Sequence, residues 1–268
     1  MASPSWDPDQ YQRFAAERER PFADLVAQIP TGDPRDVVDL GCGPGTMTAT
    51  LADRWPRASV TGLDSSPEMV AAAAALSRPG RLAFAAGDVR TWQPRPDSYD
   101  VIVCNAVLQW VPDHLDLLPG WARALRSGGA LAVQVPAAGG AAATTVFRTV
   151  AGTPRWAGRL SGVGLHRGPR GRSPVREPDA YLDALARPGF DVNAWESTYL
   201  HVLPGDDPVL EWFAGTGLRP YLDALAGDPS ALADFRAEVA AGLREAYPRR
   251  PYGTVLPFRR VFVVAVRQ

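Results

Sequence analysis

Asp36-Val-Val-Asp-Leu-Gly-Cys-Gly-Pro-Gly-Thr46 is a short apolar run that ends in three closely spaced glycines. Val37, Val38 and Leu40 read as a strand buried on both faces, as in a parallel sheet. Gly41, Gly43 and Gly45 follow at once, and Pro44 stands where a helix can begin. A turn without Cβ atoms lets a ligand come close to the backbone. The first turn of the next helix adds N–H groups that have no partner within the helix. The stretch therefore predicts strand, ligand-binding turn and helix, with a nucleotide-like ligand at the strand's end. It departs from the dinucleotide pattern G-x-G-x-x-G, because Thr46 takes the place of the third glycine. A P-loop requires a lysine, and all 28 basic residues of this chain are arginine.

Two acids frame the turn. Asp39 precedes the glycines, and Asp64 closes the next strand, Val60-Thr-Gly-Leu-Asp64, 23 residues after Gly41. That is about where a carboxylate meets ribose hydroxyls in nucleotide-binding sheets. Asp39-Leu-Gly-Cys-Gly-Pro-Gly45 resembles motif I of the class I S-adenosylmethionine (SAM) methyltransferases.

Composition narrows the alternatives. With 268 residues and 46% hydrophobic content, the chain can bury a full core. The net charge of −1 provides no global field for nucleic acid or an anionic membrane, and neither is expected as a partner. The absence of lysine excludes Schiff-base chemistry. The only cysteines, Cys42 and Cys104, end predicted strands and suggest a reducing compartment rather than a disulfide scaffold. The N-terminal residues show no signal-peptide pattern, and no apolar run is long enough to span a bilayer. A cytoplasmic protein, monomeric or weakly dimeric, is expected.

Strands and helices alternate from residue 36 to 136. The expected strands are 36–40, 60–64, 82–86, 100–104 and 130–135, with helices after the first two and a helix around 114–126. An N-terminal helix is expected over 9–28, divided at Pro21. Beyond Pro136 the pattern loosens into a Gly- and Pro-rich segment with seven arginines from Arg148 to Arg176. Helices then follow near 177–187, 206–226 and 229–246, and strands at 189–201 and 258–266. This order predicts an α/β fold: a doubly wound, mostly parallel seven-stranded sheet with a helical cap inserted late in the chain. The expected division is one methyltransferase domain, with a SAM-binding core at 30–136 and a substrate cap with a late strand at 137–257. The final strand would take 258–268, and N-terminal helices over 1–29 would cover the site. Ligands of such sheets sit at the carboxyl ends of strands, where Asp39, Asp64, Asp88 and Asn105 all fall.

The methyltransferase resemblance implies a role for each motif residue. Gly41, Gly43 and Gly45 would admit the methionine part of the ligand. Asp64, with Ser65 beside it, would accept from the ribose hydroxyls. Met69 and Val89 would wall the adenine, and Asp88 would accept from its amine. Asn105 and Gln109 would lie near the sulfonium, and Trp110 would shield that cation with its ring. Asn105-Ala-Val-Leu108 lacks the Pro-Pro-aromatic turn of methyltransferases that act on nucleobase amines. The three histidines show no metal-ligand spacing, and Asp113, His114 and Asp116 read as helix caps, so no metal is expected.

Beyond the glycine turn the resemblance becomes specific. Trp6-Asp-Pro-Asp-Gln-Tyr11, Glu17-Arg-Glu-Arg-Pro21, Asn105-Ala-Val-Leu-Gln-Trp-Val-Pro-Asp-His114, Trp195-Glu-Ser-Thr-Tyr-Leu-His201, Thr216-Gly-Leu-Arg-Pro220 and Pro257-Phe-Arg-Arg-Val-Phe262 are similar to segments of the trans-aconitate methyltransferases. This implies transfer of methyl from SAM to a carboxylate of a small polycarboxylic acid. An anionic acceptor asks for arginines, which grip carboxylates through two parallel hydrogen bonds. Arg18, Arg20, Arg219, Arg259 and Arg260 are the candidates, with Tyr11, Trp110, Tyr199 and His201 as donors or walls. After the fifth strand, Pro136-Ala-Ala-Gly-Gly140 departs from the family pattern, which places an Asn shortly beyond the proline. Two other functions fit the same fold: methylation of another small molecule in specialised metabolism, and non-catalytic SAM binding by a regulator.

Overall fold

The computed structural model describes residues 15–137, 141–164 and 175–268, and of residues 15–18 the backbone alone. Among these residues seven strands form one sheet in the order β3-β2-β1-β4-β5-β7-β6. They are β1 (Asp36–Leu40), β2 (Ser59–Asp64), β3 (Leu82–Ala86), β4 (Tyr99–Asn105), β5 (Leu125–Pro136), β6 (Phe190–Leu203) and β7 (Thr254–Arg267). The first five run parallel, and β7 pairs antiparallel with β5. The chain order reverses between β1 and β4, so the carboxyl ends of these strands open the crevice where doubly wound sheets bind ligands.

The helices are α1 (Ala15–Ala27), α2 (Thr46–Arg54), α3 (Pro67–Ala74), α4 (Leu118–Arg123), α5 (Ala142–Ala151), α6 (Ala157–Leu160), α7 (Pro178–Leu185), α8 (Pro208–Ala214), α9 (Arg219–Leu225) and α10 (Pro229–Ala246). Contacts divide the chain into two units. The sheet unit takes Ala15–Pro136, Pro174–Ser197 and Arg260–Gln268. Its centre is Val37, Val38, Leu40, Val101, Ile102, Val103, Leu131 and Val133, all fully or almost fully buried, as expected for strands covered on both faces. The other unit includes Ala137–Ser173 and Thr198–Arg259. Its core is aromatic: Phe147 meets Phe213 edge-on, and Trp156 meets Phe235 likewise, each at 5.4 Å between centroids. A Cβ at Gly242 would lie 2.8 Å from Val146, so that glycine lets α10 lie close against α5.

Three expectations are corrected. Pro21 does not divide α1, which runs through it with Phe22, Leu25 and Val26 buried. Proline removes one helical N–H, and the packing of this apolar face against the sheet compensates for the lost bond. The helix expected over 114–126 is a 3-10 turn (His114–Asp116) followed by α4, and Leu125 already pairs with Tyr99. Register then shifts, so that Val101 faces Ala130 and residues 126–129 form a bulge. The loosely patterned segment after Pro136 contains α5 and α6. The glycines and prolines around them read as loop, although Ala143, Phe147 and Ala151 recur at helical spacing in α5.

Candidate functional site

The glycine turn is tied to the end of β2. Gly41 and Cys42 N–H groups donate to the Leu63 carbonyl at 2.7 and 3.0 Å, and Gly43 N–H donates to Asp64 Oδ2 at 2.9 Å. Ser66 N–H donates to Asp64 Oδ1 at 2.9 Å, so one carboxylate holds both the turn and the start of α3. The glycines divide their work. A Cβ at Gly45 would lie 2.7 to 2.8 Å from Phe84 and Ala73, and one at Gly41 would strike Val107, so both serve close packing of protein on protein. Gly43, at φ +55°, has open space where its Cβ would be, and it is the glycine that faces a potential ligand.

Register places the polar residues of the site on one face. Asp39 pairs with Gly62 on β2 and with Val103 on β4, which puts Asp64 and Asn105, two residues further along, on its side of the sheet. Asn105 pairs with Gln134 on β5, and Gln134 with Phe262 on β7, two residues from Arg260. A row Asp64, Asp39, Asn105, Gln134, Arg260 therefore crosses the sheet at the carboxyl ends of its parallel strands. Asp39 is 3% exposed, and Thr48 Oγ1 donates to its Oδ2 at 2.6 Å. Burial raises its pKa to about 6, the Thr48 hydrogen bond opposes that rise, and the charge of Asp64 adds to it.

Two buried atoms of this row, Asn105 Oδ1 and Gln134 Nε2, and one in the turn after β4, Gln109 Oε1, lack a hydrogen-bond partner among the described residues. Each such atom costs about 1–3 kcal/mol in a folded protein unless water or a ligand completes the bonding. The amide nitrogens of Asn105 and Gln109 are turned to Met47 Sδ (3.9 Å) and the Ala106 carbonyl (2.6 Å), leaving two carbonyl oxygens toward the unmet side. Ala106 itself is at φ +57°, a strained turn of the kind found at functional sites.

The remaining sequence candidates are distributed as follows. Met69 and Val89 are buried, and Ser65 is exposed beside Asp64. Asp88 is gripped by Arg90 through both carboxylate oxygens, which holds its carboxyl below the usual range. Trp110 lies in a 3-10 turn (Leu108–Trp110) of the sheet unit, and Arg20 is exposed on α1. Arg260 is buried, and its Nη1 donates to Gln134 Oε1 at 3.3 Å. Tyr199, His201, Arg219 and Arg259 belong to the other unit. There Tyr199 stacks on His201, which stacks on Trp212 at 4.8 Å, and Arg219 pairs with Asp223 at 2.8 Å. Tyr11 and the Arg18 side chain lie outside the described residues. Of the arginine-rich segment, Arg155 pairs with Asp234 and Glu238, and Arg159 with Asp228. These are surface ion pairs within the second unit.

Asp113 makes no cap hydrogen bond, contrary to the sequence reading. Its neighbour His114 is 1% exposed, with Nδ1 at 3.0 Å from the Val111 carbonyl and Nε2 at 2.8 Å from the Tyr181 hydroxyl. A carbonyl only accepts, so Nδ1 carries the proton and Nε2 accepts from Tyr181. Gln134 is the residue that sequence reasoning missed. It stands alone as a polar residue in the apolar strand Ala130-Leu-Ala-Val-Gln-Val135, and its register beside Asn105 is what sets it in the row.

A methyltransferase-domain family model matches residues 37–129. Trans-aconitate 2-methyltransferase of Streptomyces avermitilis is 52% identical to this chain, with 100% of this chain and 98% of the relative covered. The chain belongs to the trans-aconitate 2-methyltransferase family. A second member, from Streptomyces coelicolor, is 50% identical over 98% of this chain and 87% of its own length. The fold is shared at low identity with Haemonchus contortus phosphoethanolamine N-methyltransferase 2, solved in complex with S-adenosyl-L-methionine. The TM-score is 0.54 at 16% identity, covering 93% of this chain and 53% of that one. The protein is thus a SAM-dependent methyltransferase with a class I fold. The site suits that donor: Gly43 opens onto free space, and the acids and unmet carbonyl oxygens suit a cationic ligand.

Proposed function

We propose that this family member transfers the methyl group of SAM to a carboxylate of trans-aconitate, giving a monomethyl ester. Its full-length relation to named trans-aconitate 2-methyltransferases carries the reading. SAM supplies an electrophilic methyl on a sulfonium. A carboxylate with an ordinary pKa near 4 is ionised at pH 7, so the protein needs no general base. Its residues have other work: to hold the donor, to align the acceptor oxygen with the methyl at roughly 3–3.5 Å, and to exclude water.

The sheet unit supports roles for its residues. Asp64 accepts from ribose hydroxyls with the lone pairs that Gly43 and Ser66 leave. Asn105 Oδ1 and Gln109 Oε1 face the donor's positive charge, and Trp110 walls it. Asp88 has to share its oxygens between Arg90 and the adenine amine. Arg260, at the far end of the row, is the candidate for the acceptor's carboxylate. For Arg219, Arg259, Tyr199 and His201 the resemblance alone supports a substrate role, and KM for the acid in alanine variants tests each. The substrate in this reading is a dissolved small molecule. A cytoplasmic setting fits the two buried free cysteines.

Methyl transfer from labelled SAM to trans-aconitate, cis-aconitate, isocitrate and a fatty acid tests this function. Saturable labelling of trans-aconitate ahead of the others is expected. Preferential labelling of an apolar acceptor would contradict it.

A further inference from the structure

Gln134 occupies a strand position between Val133 and Val135, is 0% exposed, and yet is polar. Strand positions covered on both faces are ordinarily apolar. Its side chain is held by Arg260, 4% exposed, whose Nη1 donates to Gln134 Oε1 at 3.3 Å. A guanidinium only donates, so this contact fixes the amide with its oxygen toward Arg260. Nε2 is then left buried with no acceptor among the described residues. The amide thus keeps its bond to Arg260 while its own N–H goes unmet, and it does so beside Asn105, at the far end of the row from Asp64.

We propose that Gln134 is a positioning residue that sets the direction of the Arg260 guanidinium for the acceptor's carboxylate, and so helps select polycarboxylic acids. The inference rests on the trans-aconitate reading. An amide suits this task because it orients a guanidinium without adding an opposite charge. A carboxylate at the same position would hold Arg260 equally well but would add a negative charge where an anion has to bind. The two functions of the residue, supporting the fold and serving the substrate, therefore separate in one variant.

The test compares the wild-type protein with Gln134→Glu and Gln134→Met by thermal melting, SAM affinity, and KM for SAM and for trans-aconitate. Gln134→Glu is expected to keep its melting temperature and its SAM affinity within about twofold, while KM for trans-aconitate rises at least about tenfold. A purely structural role predicts the reverse: Gln134→Glu keeps Arg260 bonded and leaves KM unchanged. Should Gln134→Glu not fold, Gln134→Met, which matches the length but has neither amide group, is expected to show the same rise in KM. An unchanged KM for trans-aconitate in a folded variant overturns the inference. Failure of the wild-type protein to methylate trans-aconitate overturns the substrate reading beneath it.

Discussion

Asp39 carries the titration that distinguishes this site. Its pKa is about 6 in the folded chain against an ordinary 3.8, chiefly through burial. The protonated form is therefore favoured by folding, and the associated stability is fully present below pH 3.8 and lost as pH rises to about 6. That loss amounts to up to about 3 kcal/mol. Urea melts of the wild type and Asp39→Asn between pH 4 and 7 should show this slope in the first and not in the second. A cationic donor binds the ionised form better, so SAM affinity, read by calorimetry, should rise over the same pH range. Gly43 and Gly45 make a second contrast. Gly45→Ala places a methyl against Phe84 and Ala73 at φ +81° and should lower the melting temperature sharply. Gly43→Ala has room and loses about 1–2 kcal/mol to its left-handed backbone, so its main defect should be SAM affinity. Equal melting temperatures for the two would contradict this division. Asp64→Ala removes the acceptors of two backbone N–H groups and, in the proposed role, of the ribose hydroxyls, and SAM binding should weaken by about 1.5–3 kcal/mol in a titration.

The segment after β4 shows what a buried pair does for an element. His114 and Tyr181 join the turn that follows Trp110 to α7 through one hydrogen bond and a stacked contact at 5.5 Å. Tyr181→Phe leaves Nε2 of His114 without its donor and should cost about 1–3 kcal/mol in a denaturant melt. Burial lowers the His114 pKa, so this histidine folds neutral. Its stabilising contribution is present above the unfolded value of 6.5 and lost as pH falls through the folded one. It thus opposes Asp39 on the acid side, and only the single variants separate the two slopes. At this scale the sequence was legible wherever an apolar run ended on a polar residue. Strands β1 to β4 fall within a residue or so of their expected bounds, because parallel strands buried on both faces leave an unbroken apolar signature. The helix expected over 114–126 failed because Pro119 and Gly120 shorten it and β5 starts earlier through a bulge. Helix α5 does bury one face through Ala143, Phe147 and Ala151, but it lies in a segment punctuated by glycine and proline, and α6 is a single turn too short to show a period.

The whole molecule joins a legible half to a less legible one. The polar turn between β1 and β2 was readable because acid, glycine spacing and second acid lie close together in the chain. The polar row beyond it depends on register across β4, β5 and β7, whose residues are far apart in sequence, and Gln134 could not be singled out from composition. The class I fold hosts many reactions, so the fold restricts the donor and the residues select the acceptor. Full-length family membership brings trans-aconitate forward as that acceptor. The most direct measurement is the mass of the product after incubation of the protein with trideuteromethyl-labelled SAM and trans-aconitate. A trans-aconitate ester bearing one labelled methyl group, formed in proportion to the demethylated donor, is expected. Donor binding with no labelled ester of trans-aconitate would contradict it.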